Sequence, residues 1–307
     1  MCDGVTAGDV IQHPFTPRLR INGVQSGAAT MNGTTLDVLV PSSLVREAED
    51  GREATRKLGY VARAATVFRA DRLVVFPDRE GERRRGGEYV RTVLEYCATP
   101  SYLRREVWGK REELRHAGVL PPMRPARSGP DGSELREGIV TEVGPEGRVR
   151  VNCGTQHPIS LHASPGREYV EGERVTVRVS SREPVRARLT DDPAPGFRVT
   201  GAALEDALAD AELAVATSRH GRELSVSGLA DVRARMRDTH VAVAFGSPGR
   251  GLPAILGMDT EDVPVDPDAT DGSGFDLWLN AIPRQGSEVV RTEEAIFAAL
   301  SPLTLTE

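Results

Sequence analysis

Cysteine is scarce in this chain, and its spacing offers no stabilising framework. The 307 residues include three cysteines, Cys2, Cys97 and Cys153, and none of them belongs to a Cys-x-x-Cys pair. This count argues against a disulfide scaffold. The spacing Cys153-x-x-x-His157-x-x-x-x-His162 is superficially metal-like but lacks a second ligand pair, so we expect no metal site.

Long apolar runs are also missing. No stretch reaches the roughly eighteen apolar residues that a membrane-spanning helix needs, and the amino terminus has no signal-type apolar core. We therefore expect a cytoplasmic protein that has no membrane partner.

Lysine is almost absent, because only Lys57 and Lys110 accompany the arginines among the 39 basic residues. A GC-rich genome and phosphate binding both account for such a bias. The distribution of charge says more. Residues 52–127 carry 18 basic and 10 acidic residues (+8), whereas residues 199–307 carry 8 and 18 (−10). A basic segment beside an acidic one indicates a polyanion-binding face on the first.

The order of predicted elements indicates a parallel α/β sheet interrupted by a small barrel. The pattern over the first half of the chain predicts a strand at 36–40, a helix at 47–70, a strand at 73–76 and a helix at 88–97. After the proline-rich stretch 121–130, short alternating strands are predicted at 139–141, 149–151 and 175–179, which favours a β-barrel from about 134 to 190. The α/β pattern then resumes, with helices at 203–211, 229–237 and 293–300 (the last stopped before Pro302) and strands at 213–216, 241–245 and 275–279.

These patterns divide the chain into four parts. Residues 1–32 lack periodicity and are predicted to be a disordered or non-native extension. Residues 33–125 form the first part of the α/β domain, 126–196 the inserted barrel, and 197–307 the rest of the α/β domain.

Three apolar strands are followed by polar segments that contain glycine, at 217–221, 246–251 and 280–286. Open α/β sheets bind ligands beyond the carboxyl ends of their strands, so these segments form one pocket if they adjoin. The third runs directly into a helix, where Thr292 is a candidate N-cap and two glutamates occupy the first turn. The segments at 217–221 and 246–251, each taken alone, are also compatible with polar turns.

The same segments resemble one family. Their motifs are Thr-Ser-Arg-His-Gly at 217–221, Phe-Gly-Ser-Pro-x-x-Gly-Leu at 245–252 and Leu-Asn-x-Ile-Pro-x-Gln-Gly-x-x-x-Val-Arg-Thr-Glu-Glu-Ala at 279–295. This combination resembles the SPOUT superfamily of S-adenosylmethionine-dependent RNA methyltransferases, in its archaeal and eukaryotic branch with an OB-like insertion. The resemblance extends over about residues 35 to 303, including the strand at 36–40 and the segment Tyr102-Leu103-Arg104-Arg105.

The resemblance implies an α/β fold with a knotted parallel sheet, a deep trefoil knot and an inserted OB-like barrel. It also implies a homodimer that binds S-adenosyl-L-methionine and structured RNA. The residues it assigns to the cofactor are Thr217, Ser218, Gly246, Ser247, Gly251, Leu279, Asn280, Ile282, Pro283, Gln285, Gly286, Val290 and Thr292.

The segment Val290-Arg291-Thr292-Glu293-Glu294-Ala295 also resembles the Leu-Arg-Thr-Glu-Thr-Ala signature of the bacterial small-subunit rRNA uridine-N3 methyltransferases. The expected reaction is therefore methylation of N3 of a uridine. The departure from that family's pattern is Ser287-Glu288, which stands where the bacterial enzymes carry an arginine. A non-catalytic RNA-binding or ribosome-assembly protein and a ribose 2′-O methyltransferase stay open as alternatives.

Candidate catalytic and RNA-binding residues follow from charge. Arg291 is the first candidate to orient the base or balance its charge, with Arg219 and His220 next; a structural pairing of Arg291 with Glu293 is the alternative. The candidate phosphate contacts lie in the basic segment, which is equally compatible with a solvated face. They are Arg83, Arg84, Arg85, Arg104, Arg105, Lys110 and Arg111, with Tyr89, Tyr102 and Trp108 as possible stacking partners.

Overall fold

The computed structural model describes residues 33–129, 131–145, 147–266 and 272–305. The expected extension at 1–32 lies outside these residues. The strands are β1 (Thr35–Pro41), β2 (Arg72–Phe76), β3 (Glu134–Val143), β4 (Arg148–Asn152), β5 (Ile159–His162), β6 (Arg174–Arg182), β7 (Val185–Thr190), β8 (Arg198–Gly201), β9 (Leu213–Glu223), β10 (His240–Ala244) and β11 (Leu277–Asn280). The helices are α1 (Gly51–Val67), α2 (Gly87–Ala98), α3 (Arg104–Val107), α4 (Leu204–Ala209), α5 (Val226–Met236), α6 (Leu252–Leu256) and α7 (Thr292–Leu303).

Six strands form a parallel sheet in the order β11-β9-β10-β1-β2-β8. Both faces of this sheet are covered, which is why its central strands are apolar along their whole length. Val38 and Val40 pack with α1, α2, α5 and α7 on one face. Leu39, between them, points to the other face and packs with α4 and α6.

Helix α1 shows how the local sequence sets a boundary. The predicted helix began at 47, but the structure begins it at Gly51 because the Asp50 carboxylate accepts the backbone N–H of Glu53 at 2.7 Å. A capping carboxylate satisfies a helix N–H that has no partner within the helix. After Val67 the chain turns through Arg69, whose φ of 53° ends the helix.

The remaining five strands form an antiparallel, barrel-like sheet in the order β5-β4-β3-β6-β7. Its core contains the alternating residues Val149, Val151, Val175, Val177 and Val179, as the period-two pattern predicted. The sequence prediction missed β5 and β7 at the two edges. The barrel is inserted in the sequence between α2 and β8. Strand β8, which the sequence prediction also missed, pairs with β2 and completes the large sheet.

The last helix differs from its prediction. It was expected to stop before Pro302, but α7 continues to Leu303 with the proline inside it. A proline costs a helix most in its interior, and here only one helical residue follows it.

Charged side chains at the amino edge of the large sheet pair with one another. The buried Asp37 carboxylate accepts from Arg72 Nη2 at 2.6 Å and contacts His240 Nε2 at 2.7 Å, while His240 Nδ1 contacts the Asp210 carbonyl at 2.7 Å. Both partners of the imidazole are acceptors, so both ring nitrogens must donate. The hydrogen bond to Asp37 accordingly raises the pKa of His240 above its usual value.

Candidate functional site

The carboxyl edge of the large sheet gathers the three segments that were expected to form a pocket, but the first of them is not a loop. Residues 217–221 lie within β9, whose Ala216 pairs with Trp278 and whose Arg222 pairs with the next residue, Leu279. The five intervening residues therefore form an excursion of the strand opposite β11. A Cβ at Gly221 would lie 2.7 Å from the Trp278 carbonyl carbon, so only glycine allows this approach.

Side chains then join the three segments. Thr217 Oγ1 donates to the Ala244 carbonyl at 2.8 Å, at the end of β10. The Asn280 amide nitrogen donates to the Arg219 carbonyl at 3.1 Å. Thr292 Oγ1 donates to the Gly246 carbonyl at 2.8 Å. The three segments and the start of α7 are therefore adjacent, as their positions in the sequence predicted.

The segment 246–251 is a closed turn. Ser247 and Arg250 exchange two backbone hydrogen bonds, each of 3.0 Å. A Cβ at Gly246 would lie 2.7 Å from the Gly251 Cα, and Gly249 has a φ of 68°. The glycines are thus required by the turn itself, which presents backbone groups at the end of a buried strand.

The segment 280–291 is held by its own polar side chains. Asn280 Oδ1 accepts the Ile282 N–H at 3.0 Å, and Gln285 Nε2 donates to the Ser287 carbonyl at 2.8 Å. Gly286 is exposed, and a Cβ there would meet no heavy atom of the described residues within 4 Å. None of the described residues requires a glycine at this position, in contrast to Gly246.

The expected cap of α7 is wrong in its chemistry. The N-cap is Arg291 and Thr292 is the first helical residue, with its hydroxyl bonded to Gly246. Glu294 instead closes the helix start, because its carboxylate accepts the Arg291 N–H at 2.9 Å. A carboxylate at this position satisfies an N–H with no partner within the helix, which gives Glu294 a structural role.

The candidate catalytic residues occupy this edge as well. Arg219 Nε donates to His220 Nε2 at 3.1 Å, and Arg219 Nη1 contacts the Glu288 carbonyl at 3.4 Å. Arg291 is exposed. Burial raises the pKa of the neighbouring Glu293, while the positive charges of Lys57 and Arg291 act to lower it. The site therefore has two exposed guanidinium groups, one on β9 and one at the start of α7.

A polar network beside this site was missed in the sequence. Ser43 Oγ, which follows β1, contacts Asp78 Oδ2 at 2.5 Å and Ser247 Oγ at 3.0 Å, and all three residues are buried. Arg250 Nε donates to Asp78 Oδ1 at 3.1 Å. These hydrogen bonds hold the 246–251 turn against the segments that follow β1 and β2. The signal available was a Ser-Ser pair and an aspartate that directly follow two buried strands of the same sheet.

The predicted phosphate contacts do not form one group. Arg83, Arg84 and Arg85 lie between β2 and α2, where Arg84 Nη1 contacts the Glu49 carbonyl at 3.3 Å. Arg104 is structural, because its Nε donates to the Thr99 carbonyl at 3.1 Å and its guanidinium lies 4.4 Å from the centre of the Tyr96 ring.

The remaining predicted contacts, Arg105, Lys110 and Arg111, are exposed around α3.

The three aromatic residues of this region serve the fold. Tyr89 Oη bonds to Thr55 Oγ1 at 2.8 Å, Tyr102 Oη donates to the Glu137 carbonyl at 2.7 Å, and Trp108 Nε1 donates to Thr99 Oγ1 at 3.0 Å. Stacking of these rings on unpaired bases is not supported by such contacts.

Comparison with known proteins agrees with the geometry. A family model described as "Putative RNA methyltransferase" matches residues 35–303. The chain belongs to this family of RNA methyltransferases.

Its relatives cover nearly the same residues. An uncharacterised protein of Halobacterium salinarum is 62% identical over 284 residues, covering 89% of this chain and 100% of the relative. The 28S rRNA (uridine-N(3))-methyltransferases of Mus musculus and Homo sapiens are each 30% identical, covering 88% of this chain and 76% and 77% of their own length. The family membership thus extends over both sheets.

Within the described ranges, no group of three or more His, Cys, Asp or Glu side chains is placed to hold a metal ion. No helix among those residues is long and apolar enough to cross a membrane.

Proposed function

We propose that this enzyme transfers a methyl group from S-adenosyl-L-methionine to N3 of a uridine in ribosomal RNA. The observation that carries the proposal is the joining of the 246–251 turn, the 280–291 segment and the start of α7 at one edge of a parallel sheet. Relatives whose printed names specify uridine N3 and 28S rRNA support the choice of atom and substrate. Ser287-Glu288, where the bacterial enzymes carry an arginine, makes the nucleoside the point most in need of testing.

The residues present fit the methyl donor. Ile282 and Val290 are half-buried at this edge, which suits an adenine ring, while the backbone of the turns can donate to and accept from its edge. Gly286 leaves open space in which a ligand can approach the backbone. The cationic sulfonium also suits the acidic balance of residues 199–307.

The hydroxyl candidates would act mainly through their backbone. Thr217 and Thr292 already donate to carbonyls, and Ser247 bonds to Ser43. The site that we assign to the cofactor also includes Ser218, Gly251, Pro283 and Gln285.

The reaction requires an aligned uridine from which the N3 proton has been removed. When bound, the cofactor supplies an electrophilic methyl group on sulfur. Alignment of the reacting atoms alone can contribute about 7–11 kcal/mol. The N3 proton passes to solvent water, and Arg291 and Arg219 carry the positive charge that balances the resulting anion, while Arg219 Nε donates to His220 Nε2 and orients the imidazole. Gln285 orders the 280–291 segment through the Ser287 carbonyl, and Arg219 is tied to the same segment through the Glu288 carbonyl.

Two rival functions make different predictions. A non-catalytic RNA-binding or assembly protein would show no calorimetric binding at millimolar S-adenosylmethionine. A ribose 2′-O methyltransferase would bind the cofactor but leave the methyl group on the sugar, which nuclease digestion and mass spectrometry of labelled RNA would show.

Three properties implied by the SPOUT resemblance belong to this proposal: a deep trefoil knot with an OB-like barrel, a homodimer whose site draws on both chains, and a cytoplasmic location. A knot in this region would need close contact between the 280–291 segment and β9, and Asn280 makes such a contact. Its amide contacts the Arg219 carbonyl and its own carbonyl accepts the Leu224 N–H at 2.9 Å.

The deciding experiment compares the modified nucleosides of rRNA from cells with and without the gene. The proposal expects N3-methyluridine to disappear from one position and to return when the purified protein and S-adenosylmethionine are added. Loss of a ribose-methylated nucleoside instead would refute the choice of N3, and loss of no methylated nucleoside would refute the ribosomal substrate.

A further inference from the structure

Two basic regions that are separate in the sequence share one surface. Arg148, Arg150 and Asn152 point outward from β4, because Val149 and Val151 between them are buried in the barrel. The Asn152 amide nitrogen donates to Glu106 Oε1 of α3 at 2.6 Å. Helix α3 therefore lies at the end of the outward face of β4.

The connection between α3 and the barrel is rigid. Tyr102, just before α3, donates to the Glu137 carbonyl of β3 at 2.7 Å. Its ring packs on Gly154, just after β4, where a Cβ would lie 2.7 Å from the ring atoms. Only glycine permits this contact, so α3 is fixed against β4.

The cations on this surface are available. Arg105, Lys110 and Arg148 are exposed and form no ion pair within the described part of the chain. Arg150 pairs with Glu142 at 3.2 Å, and both side chains are more than half exposed (53% and 56%). An exposed pair of this kind contributes little, so a phosphate can displace it.

We propose that Arg105, Lys110, Arg148 and Arg150 form one composite surface that binds the phosphate backbone of the RNA substrate. The inference rests on the proposed function and deepens it, since it assigns RNA binding jointly to the barrel and to α3. It excludes Arg104, which is structural, and the separate group Arg83–Arg85, which lies beside the loop that precedes α1.

The test compares three double variants that each remove two positive charges. R148A/R150A removes the barrel half and R105A/K110A the helical half. The control R198A/R235A removes two exposed arginines at the amino edge of the large sheet, at the start of β8 and the end of α5. Binding of a labelled large-subunit rRNA transcript is measured over a series of salt concentrations, with calorimetry of S-adenosylmethionine and thermal melting as checks of folding.

Each half should weaken RNA binding by roughly tenfold or more and should lower the slope of log K against log salt by about 1.4, since a single-strand phosphate contact contributes about 0.7. The control should bind like the wild type, and cofactor binding should not change in any variant. E142Q removes an acidic group and releases Arg150, so it should tighten RNA binding, which a purely structural role of Arg150 does not predict.

Two outcomes would overturn the surface and are distinguishable. If the wild type binds RNA but both halves behave like the control, RNA is held elsewhere and the proposed function stands. If the wild type binds no RNA even at low salt, the surface and the proposed function fall together.

Discussion

The two edges of the large sheet both carry arginines and acidic groups, yet they use them differently. At the amino edge, the carboxylate of Asp37 is 3% exposed and is shared between Arg72 and His240. At the carboxyl edge, Arg219 and Arg291 are exposed, and the surrounding contacts are made largely to backbone carbonyls. The first arrangement is complete without a ligand, whereas the second presents charge and backbone to solvent.

This difference separates stability from function. A buried charge is tolerated only when it is paired, so the need to stabilise the fold fully explains the contacts at the amino edge. The carboxyl edge contains an exposed glycine, Gly286, that no neighbour in the described part of the chain requires. A ligand that binds close to the backbone explains why a glycine occupies this position. Substitutions at the two edges should therefore affect different measurements.

The largest effect is expected from Asp37→Ala. It leaves Arg72 and His240 without their shared carboxylate and should lower the free energy of unfolding by about 3 kcal/mol. Asp210→Ala is the matched control, because its side chain is 61% exposed and its pair with Arg72 should contribute less than about 1 kcal/mol. Urea denaturation measures both. Equal effects would contradict the assignment of Asp37 as the centre of the network.

Gly246→Ala should reduce both stability and cofactor affinity. The new Cβ would lie 2.7 Å from Gly251 Cα and 2.9 Å from Leu252 N, which are backbone atoms and cannot move aside cheaply. Overpacking of this kind costs about 1–3 kcal/mol. Urea denaturation and calorimetry with S-adenosylmethionine test it. If neither the free energy of unfolding nor the affinity for S-adenosylmethionine changes, the turn does not form part of the cofactor site.

The amino edge should also respond to pH. His240 has a pKa raised chiefly by its hydrogen bond to Asp37, so its contribution to stability is complete below its unfolded pKa of about 6.5 and is lost as the pH rises through the folded value. The free energy of unfolding of the wild type should fall over this range relative to His240→Gln. A difference between the two proteins that does not vary with pH would argue against a charged His240.

The smallest effect on stability is expected from Gly286→Ala, which meets no atom within 4 Å. The free energy of unfolding should stay within about 0.5 kcal/mol of the wild type. The affinity for S-adenosylmethionine should nevertheless fall at least tenfold, because the side-chain methyl group of the new alanine occupies space assigned to the ligand. Unaltered affinity in calorimetry would remove Gly286 from the site.

The sequence predicts the central strands well because they are buried on both faces and therefore read as continuous apolar runs. The strands β5, β7 and β8 were missed because they are short and carry mostly exposed or half-buried side chains. Their pairing comes from neighbours distant in the sequence, and local periodicity holds little of that information.

The site was predictable in outline for the same reason and not in detail. The polar segments that follow buried strands indicated that the site lies at the carboxyl edge of the sheet. Residues 217–221 were interpreted as a loop because they are polar and end in glycine, but tertiary contacts hold them within β9. The Ser43–Asp78–Ser247 network joins residues from three distant parts of the chain, so no local pattern indicates it.

Hydrogen–deuterium exchange with and without S-adenosylmethionine tests the central claim most directly, because it reports on both edges of the sheet in one experiment. We expect protection of the backbone at 245–252 and 279–292 when the cofactor is added, and no change at the amino edge around Asp37, Arg72 and His240. Protection confined to other segments, or none at millimolar cofactor, would contradict the assignment of the carboxyl edge as the methyl-donor site.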